Sequence, residues 1–169
     1  TTYAIYNTPG WDAKTNRIVF KKESEQRFKN AYTMDAFSGG EDLAWISSEG
    51  GNINFITKPN GRENPHFVKS DARIYLSNSV GLSSIRWDGT DEKIIVSITG
   101  IVTFGDSHKD ALSFRNLEEG IPEDNKKASK PVAVYMSPDG NKVMALIHTD
   151  VYVVAVPKYG QTPTISVSS

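Results

Sequence analysis

The sequence predicts an all-β protein assembled from repeated four-stranded antiparallel units, and three observations carry that reading. The chain repeats itself three times, the repeats are punctuated by short turns rich in Asp, Gly, Ser and Asn, and helix-like apolar spacing is confined to Ala31 to Phe37 and Asp110 to Glu119, outside the repeats. Pro9 to Phe20 (PGWDAKTNRIVF) aligns without a gap on Pro65 to Leu76 (PHFVKSDARIYL), and both align on Val134 to Leu146 (VYMSPDGNKVMAL) with one extra residue in the turn.

Each copy opens with an aromatic-containing strand, turns through polar residues, and returns in a β-rich strand: Arg17 to Phe20, Arg73 to Leu76 and Lys142 to Leu146. Third strands follow at Leu43 to Ile46, Leu82 to Ile85 and Val151 to Val154. Gly50-Gly51, Gly89-Thr90 and Gly160-Gln161 turn into fourth strands at Ile53 to Thr57, Ile94 to Thr99 and Ile165 to Ser168. Four short strands per unit, hydrophobic on both faces, cannot bury themselves alone and describe β-propeller blades. The expected blades cover about 5–57, 64–99 and 131–169, giving a partial propeller of about three blades in one domain.

Unequal spacing marks two insertions. The second and third strands are close together from Arg73 to Leu82 and from Lys142 to Val151, but far apart from Arg17 to Leu43, so the first unit carries an insertion at 24–40. A second, at 100–130, separates the second and third units. In an antiparallel four-stranded blade the connections between strands two and three and between blades leave from one end, so both insertions emerge on the same face. Long loops on a rigid repeat scaffold concentrate binding residues. The candidate ligand-binding residues on that face are Arg27, Phe28 and Tyr32 from the first insertion and Asp106, His108 and Arg115 from the second, a mixture of aromatic and ionisable groups suited to a peptide or small polar ligand.

Composition narrows the partners. Nineteen basic residues against twenty acidic ones give a net charge of -1, with no basic concentration to neutralise a row of phosphates, so nucleic acid is not an expected partner. The longest apolar run, Val151 to Pro157, is far below the roughly 18 residues of a membrane-spanning helix, and no membrane span is expected. Cysteine is absent, which excludes disulfides and thiolate chemistry. The chain starts at Thr1 without a leader, so any initiator or export signal is expected to have been removed or to lie upstream.

No cofactor, metal or catalytic residue is expected. His66, His108 and His148 form no pair at metal-ligand spacing, and His66 and His148 read as satisfied packing or edge histidines. Phe104-Gly105-Asp106-Ser107-His108 resembles the Gly-Asp-Ser block of GDSL-type esterases, but no Asp-x-x-His follows Ser107 to supply the base. Gly39-Gly40 and Gly50-Gly51 read as turns, and Asp88 to Glu92 as a solvated hairpin turn rather than a calcium loop. Trp11, Trp45 and Trp87 recur at blade positions and are expected to fill the space between blades, with Trp87 the one to watch for exposure.

Met136-Ser137-Pro138-Asp139-Gly140-Asn141-Lys142-Val143 matches the Ser-Pro-Asp-Gly turn of TolB-like β-propellers with WD40-like repeats, and Asp71 to Leu76 and Trp87 to Asp91 are similar in style. The stretch from Asn64 to Ser169 resembles the amino-terminal propeller of secreted or periplasmic proteins whose carboxy-terminal part is a metal-dependent amidohydrolase. The resemblance implies a non-catalytic binding or substrate-gating module beside a hydrolase domain, with a protein or peptide partner and a periplasmic or secreted location. The first two copies depart from the full Ser-Pro-Asp-Gly. Three blades also do not close a ring, since propellers typically have four to eight. Either the chain is a segment of a longer one, or copies complete one another as a homodimer covering the open blade faces, the arrangement of a stand-alone interaction scaffold of the cell envelope.

Overall fold

The computed structural model describes residues 2–26, 40–78, 81–99, 103–104, 126–127, 133–147, 150–158 and 162–166. These residues are all-β, with no helix among them. The first sheet is an antiparallel meander of β1 (Thr2–Asp12), β2 (Arg17–Gln26), β3 (Glu41–Ser47) and β4 (Gly50–Thr57) in sequence order. The second contains β5 (Glu63–His66), β6 (Ile74–Asn78), β7 (Gly81–Ile85) and β8 (Lys93–Thr99), again in order. A two-stranded ladder joins β9 (Thr103–Phe104) to β10 (Lys126–Lys127) inside the second expected insertion. The third sheet is β11 (Ala133–Met136), β12 (Lys142–Ile147) and β13 (Asp150–Ala155).

Two expectations are corrected here. The fourth strand of the third unit does not close the third sheet: β14 (Thr164–Ser166) pairs in parallel with β8, aligning Ile165 with Ile98, and makes the second sheet five-stranded. Burial explains the choice, because Ile165 is only 4% exposed there and joins the apolar cluster between the second and third sheets. The first insertion also begins later than the spacing suggested. Ser24 to Gln26 continue β2 as a long ribbon against Thr2 to Ala4.

The sheets stack in chain order through alternate faces of their strands. Val19, Leu43 and Ile56 of the first sheet meet Ile74, Leu76 and Ile85 of the second, with Trp45, Phe67 and Trp87 packed against them. Tyr75, Leu82, Val96 and Ile98 on the opposite face of the second sheet meet Val134, Met136, Val143, Ala145 and Ile147 of the third. Backbone approach is close enough that Gly10 admits no side chain: a Cβ there would lie 1.9 Å from the carbonyl oxygen of Pro65.

The turns repeat one device. Asp12, Asp71, Asp88 and Asp139 each accept the backbone N–H two residues on, from Lys14, Arg73, Thr90 and Asn141. In the third sheet Ser137 also donates to Asp139 and accepts from the Lys142 amide, while Gly140 takes the positive φ of 74° that closes the turn. These contacts, Ser137 first, hold the Asp139 carboxyl down at about 2.

Candidate functional site

The stack has two ends. At one, the turns between first and second strands lie side by side: the Lys14 ammonium donates to the Asp71 carbonyl at 3.4 Å, and the Lys69 amide donates to the Pro138 carbonyl at 2.8 Å. At the other, β2 gives way to β3 and β8 leads toward β11, where the two insertions depart. All six predicted ligand-binding residues, Arg27, Phe28, Tyr32, Asp106, His108 and Arg115, lie outside the described residues, as do Ser107 and His148.

What the described residues bring together is at the turn end. The Arg17 guanidinium sits over Trp45 at 4.1 Å and reaches Trp87 at 5.0 Å. Trp45 meets Trp87 edge-on at 6.3 Å, and Phe67 stacks on Trp87 at 5.8 Å. Trp45 and Trp87 thus fill the space between two sheets as expected, and Trp87 is half-buried. Its indole Nε1 has no hydrogen-bond partner. Beside it, a cleft of about 470 Å³ is lined by Ala72, Arg73, Arg86, Trp87 and Asp88.

The guanidinium of Arg73 is committed to the fold. It donates to the Ser84 hydroxyl at 2.9 Å and carbonyl at 3.1 Å, and to both the carboxylate and carbonyl of Asp91. Arg73 first, then Lys93 and Arg86, holds the Asp91 carboxyl below its ordinary range. Asp88 is turned inward on its own loop by Thr90, whose hydroxyl and amide both donate to it, so this hairpin is a hydrogen-bonded turn.

Polar groups also bridge the sheets. The Lys21 ammonium is nearly enclosed and pairs with Glu23 at 3.1 Å and with Glu41 and Glu63 at 3.6 Å. Burial opposes its charge, but the Glu23 hydrogen bond and the other two carboxylates outweigh that and raise its pKa. Ser77, buried on the second sheet, donates to the Val134 carbonyl at 2.7 Å. The imidazole of His66 is satisfied on both nitrogens: Nδ1 donates to the Asn64 carbonyl, and Nε2 accepts from the Met136 amide, each at 2.8 Å. It is a packing histidine, as its place beside a strand suggested.

Trp11 departs from expectation. It is 63% exposed and fills no space between sheets. The repeat supplies the reason: Trp11 aligns with Phe67, which packs against the preceding sheet, but no sheet precedes Trp11 among the described residues. Sequence reading passed over Arg17, Lys21, Arg73 and Ser77, although alternation along each second strand places all four on the face shared with the next unit. Neither a protein-family model nor a curated protein matches the chain.

Proposed function

We propose that the chain forms part of a TolB-like β-propeller and acts as a non-catalytic binding or substrate-gating module beside a hydrolase domain of the amidohydrolase kind, with a protein or peptide ligand, in the periplasm or outside the cell. The observation that carries this reading is that one aligned position of the repeat meets the next sheet in both the first and the second unit. At aligned positions, Gly10 abuts Pro65 of the next sheet and His66 bonds Met136 of the next. Meandering sheets stacked in chain order through an aligned position are a feature of propellers and support this reading. Both insertions join strands at the end opposite the hydrogen-bonded turns, which supports a ligand role for Arg27, Phe28, Tyr32, Asp106, His108 and Arg115.

Calorimetric titration with short peptides and N-acyl amino acids tests it. Binding without turnover is expected, weakened by Tyr32→Ala and Arg115→Ala while the melting temperature holds. Hydrolysis of p-nitrophenyl acetate abolished by Ser107→Ala would overturn the non-catalytic assignment. A second reading, a stand-alone scaffold of the cell envelope, is favoured by the apolar outer faces of the first and third sheets, where Phe55 and Val153 are each 62% exposed.

A further inference from the structure

The two outer faces differ in kind, and the repeat says how. Each sheet has one face toward the unit before it and one toward the unit after it. The face looking back carries Phe67, Ile74 and Ile85 in the second sheet, and Met136, Val143 and Val154 in the third, where the last three are in register. Both sets pack on the preceding sheet. Their counterparts in the first sheet are Trp11, Ile18 and Ile46, which are also in register. Ile18 and Ile46 line an uncovered groove of about 310 Å³ together with Tyr6, Pro9, Phe20 and Ile53. The first sheet therefore presents a backward-looking face with nothing seated on it among the described residues.

The forward-looking face is the complement. Val19 and Trp45 of the first sheet, paired in register, pack on the second, and the aligned Tyr75 of the second packs on the third. The aligned row in the third sheet is Tyr135, Met144 and Val153, in register and at least one-third exposed throughout. Val151 extends it, 61% exposed. This is an apolar face shaped for a following unit, uncovered among the described residues apart from the Tyr135 ring, which lies 5.0 Å from that of His66.

We infer that the forward-looking face of the third sheet docks onto the backward-looking face of the first sheet in a second copy of this chain, head to tail, and that two such contacts close a ring of six sheets. The inference rests on the propeller reading. Its basis is continuity: the docking would be a third instance of an interface the chain already makes twice, between the same aligned rows, with Met144 brought into one cluster with Ile18 as Val19 shares a cluster with Ile74 and Tyr75 with Val143. A heterologous contact of this kind forms a closed ring when its rotation closes, and six blades fall within the range of natural propellers.

Light scattering after size exclusion, across a hundredfold dilution, tests the assembly with three proteins: the wild type, Ile18→Glu on the backward face and Met144→Lys on the forward face. The wild type is expected at twice 18.6 kDa, independent of concentration. Each variant alone is expected as a monomer with native circular dichroism, and their equimolar mixture as a dimer, because one contact is then unaltered and the other sets the new carboxylate against the new ammonium. A monomeric wild type overturns the inference and leaves the faces to other occupants, including further repeats of a longer chain. A dimer that survives one variant but not the other means a face pairing with itself, and a larger mass means no closure at two copies; either overturns the head-to-tail ring. Hydrogen exchange on the same samples separates this from the propeller reading, since protected Lys69 and Met136 amides report the stacking within one chain whatever the mass.

Discussion

His66 Nε2 accepts the backbone N–H of Met136 at 2.8 Å, and with that bond the first strand of the second sheet holds the first strand of the third. The bond requires the neutral ring, since a protonated imidazole has no lone pair to offer. Burial lowers the pKa of His66, partly opposed by its bond to the Asn64 carbonyl. A group whose folded pKa lies below its unfolded one contributes stability above the unfolded value and loses it as pH falls toward the folded value. Melting temperature is therefore expected to hold above the ordinary imidazole value of 6.5 and to decline just below it. Glu23 and Asp139, whose folded pKa values are also depressed, add a separate loss only below about 4.5. His66→Gln, which keeps an acceptor without titrating, is expected to abolish the first decline and spare the second; a profile unchanged by it refutes the assignment.

Gly10→Ala is expected to cost about 2–4 kcal/mol, because the added methyl meets backbone that no rotamer change can move. Urea unfolding reads this as a lowered midpoint, and an unchanged midpoint would mean that the first two sheets do not approach as closely as described.

Ser77→Ala leaves the Val134 carbonyl without its buried donor. The expected loss is about 1–3 kcal/mol. Ser77→Thr restores the hydroxyl, so partial recovery in that variant distinguishes the lost bond from a generic core defect.

Acrylamide quenching of the three tryptophans should divide them in the monomeric Met144→Lys variant, with Trp11 accessible and Trp45 and Trp87 shielded. Trp11→Phe is expected to remove most of the readily quenched emission. Arg17→Gln should make the remainder more accessible, since it lifts the guanidinium from over both rings, and lower stability by about 1 kcal/mol. Equal quenching of all three would contradict the cluster.

Much of the architecture was legible because strand, turn and burial share one local code. Arg17 and Lys142 start second strands as expected, Arg73 lies one residue before β6, and the Asp-based turns before them are set by contacts spanning two residues. Trp11 was misread because its environment depends on what precedes the first sheet, which no local pattern reports. Ile165 was misplaced for a related reason: alternation identifies a strand but not which of two apolar edges will receive it. His66 and Ser77 were hidden as bridges because their partners are backbone groups of the next unit, distant in sequence. The proposed ligand residues fall on the insertions, where no repeat constrains a reading.

The parallel pairing of Thr164–Ser166 with β8 also orders events in time. As the chain is synthesised, β8 emerges early and its outer rim stays vacant until the whole third sheet has been made, because Ile165 comes last and returns to Ile98 across that intervening segment. Loop-closure entropy over such a span delays pairing until the third sheet has folded and shortened the gap. The strand then acts as a latch, reinforcing the hold of the third sheet on the second only after both exist, and a nascent chain halted before Thr164 would join those two sheets through the Ser77, His66 and Lys69 bonds and the remaining apolar cluster alone.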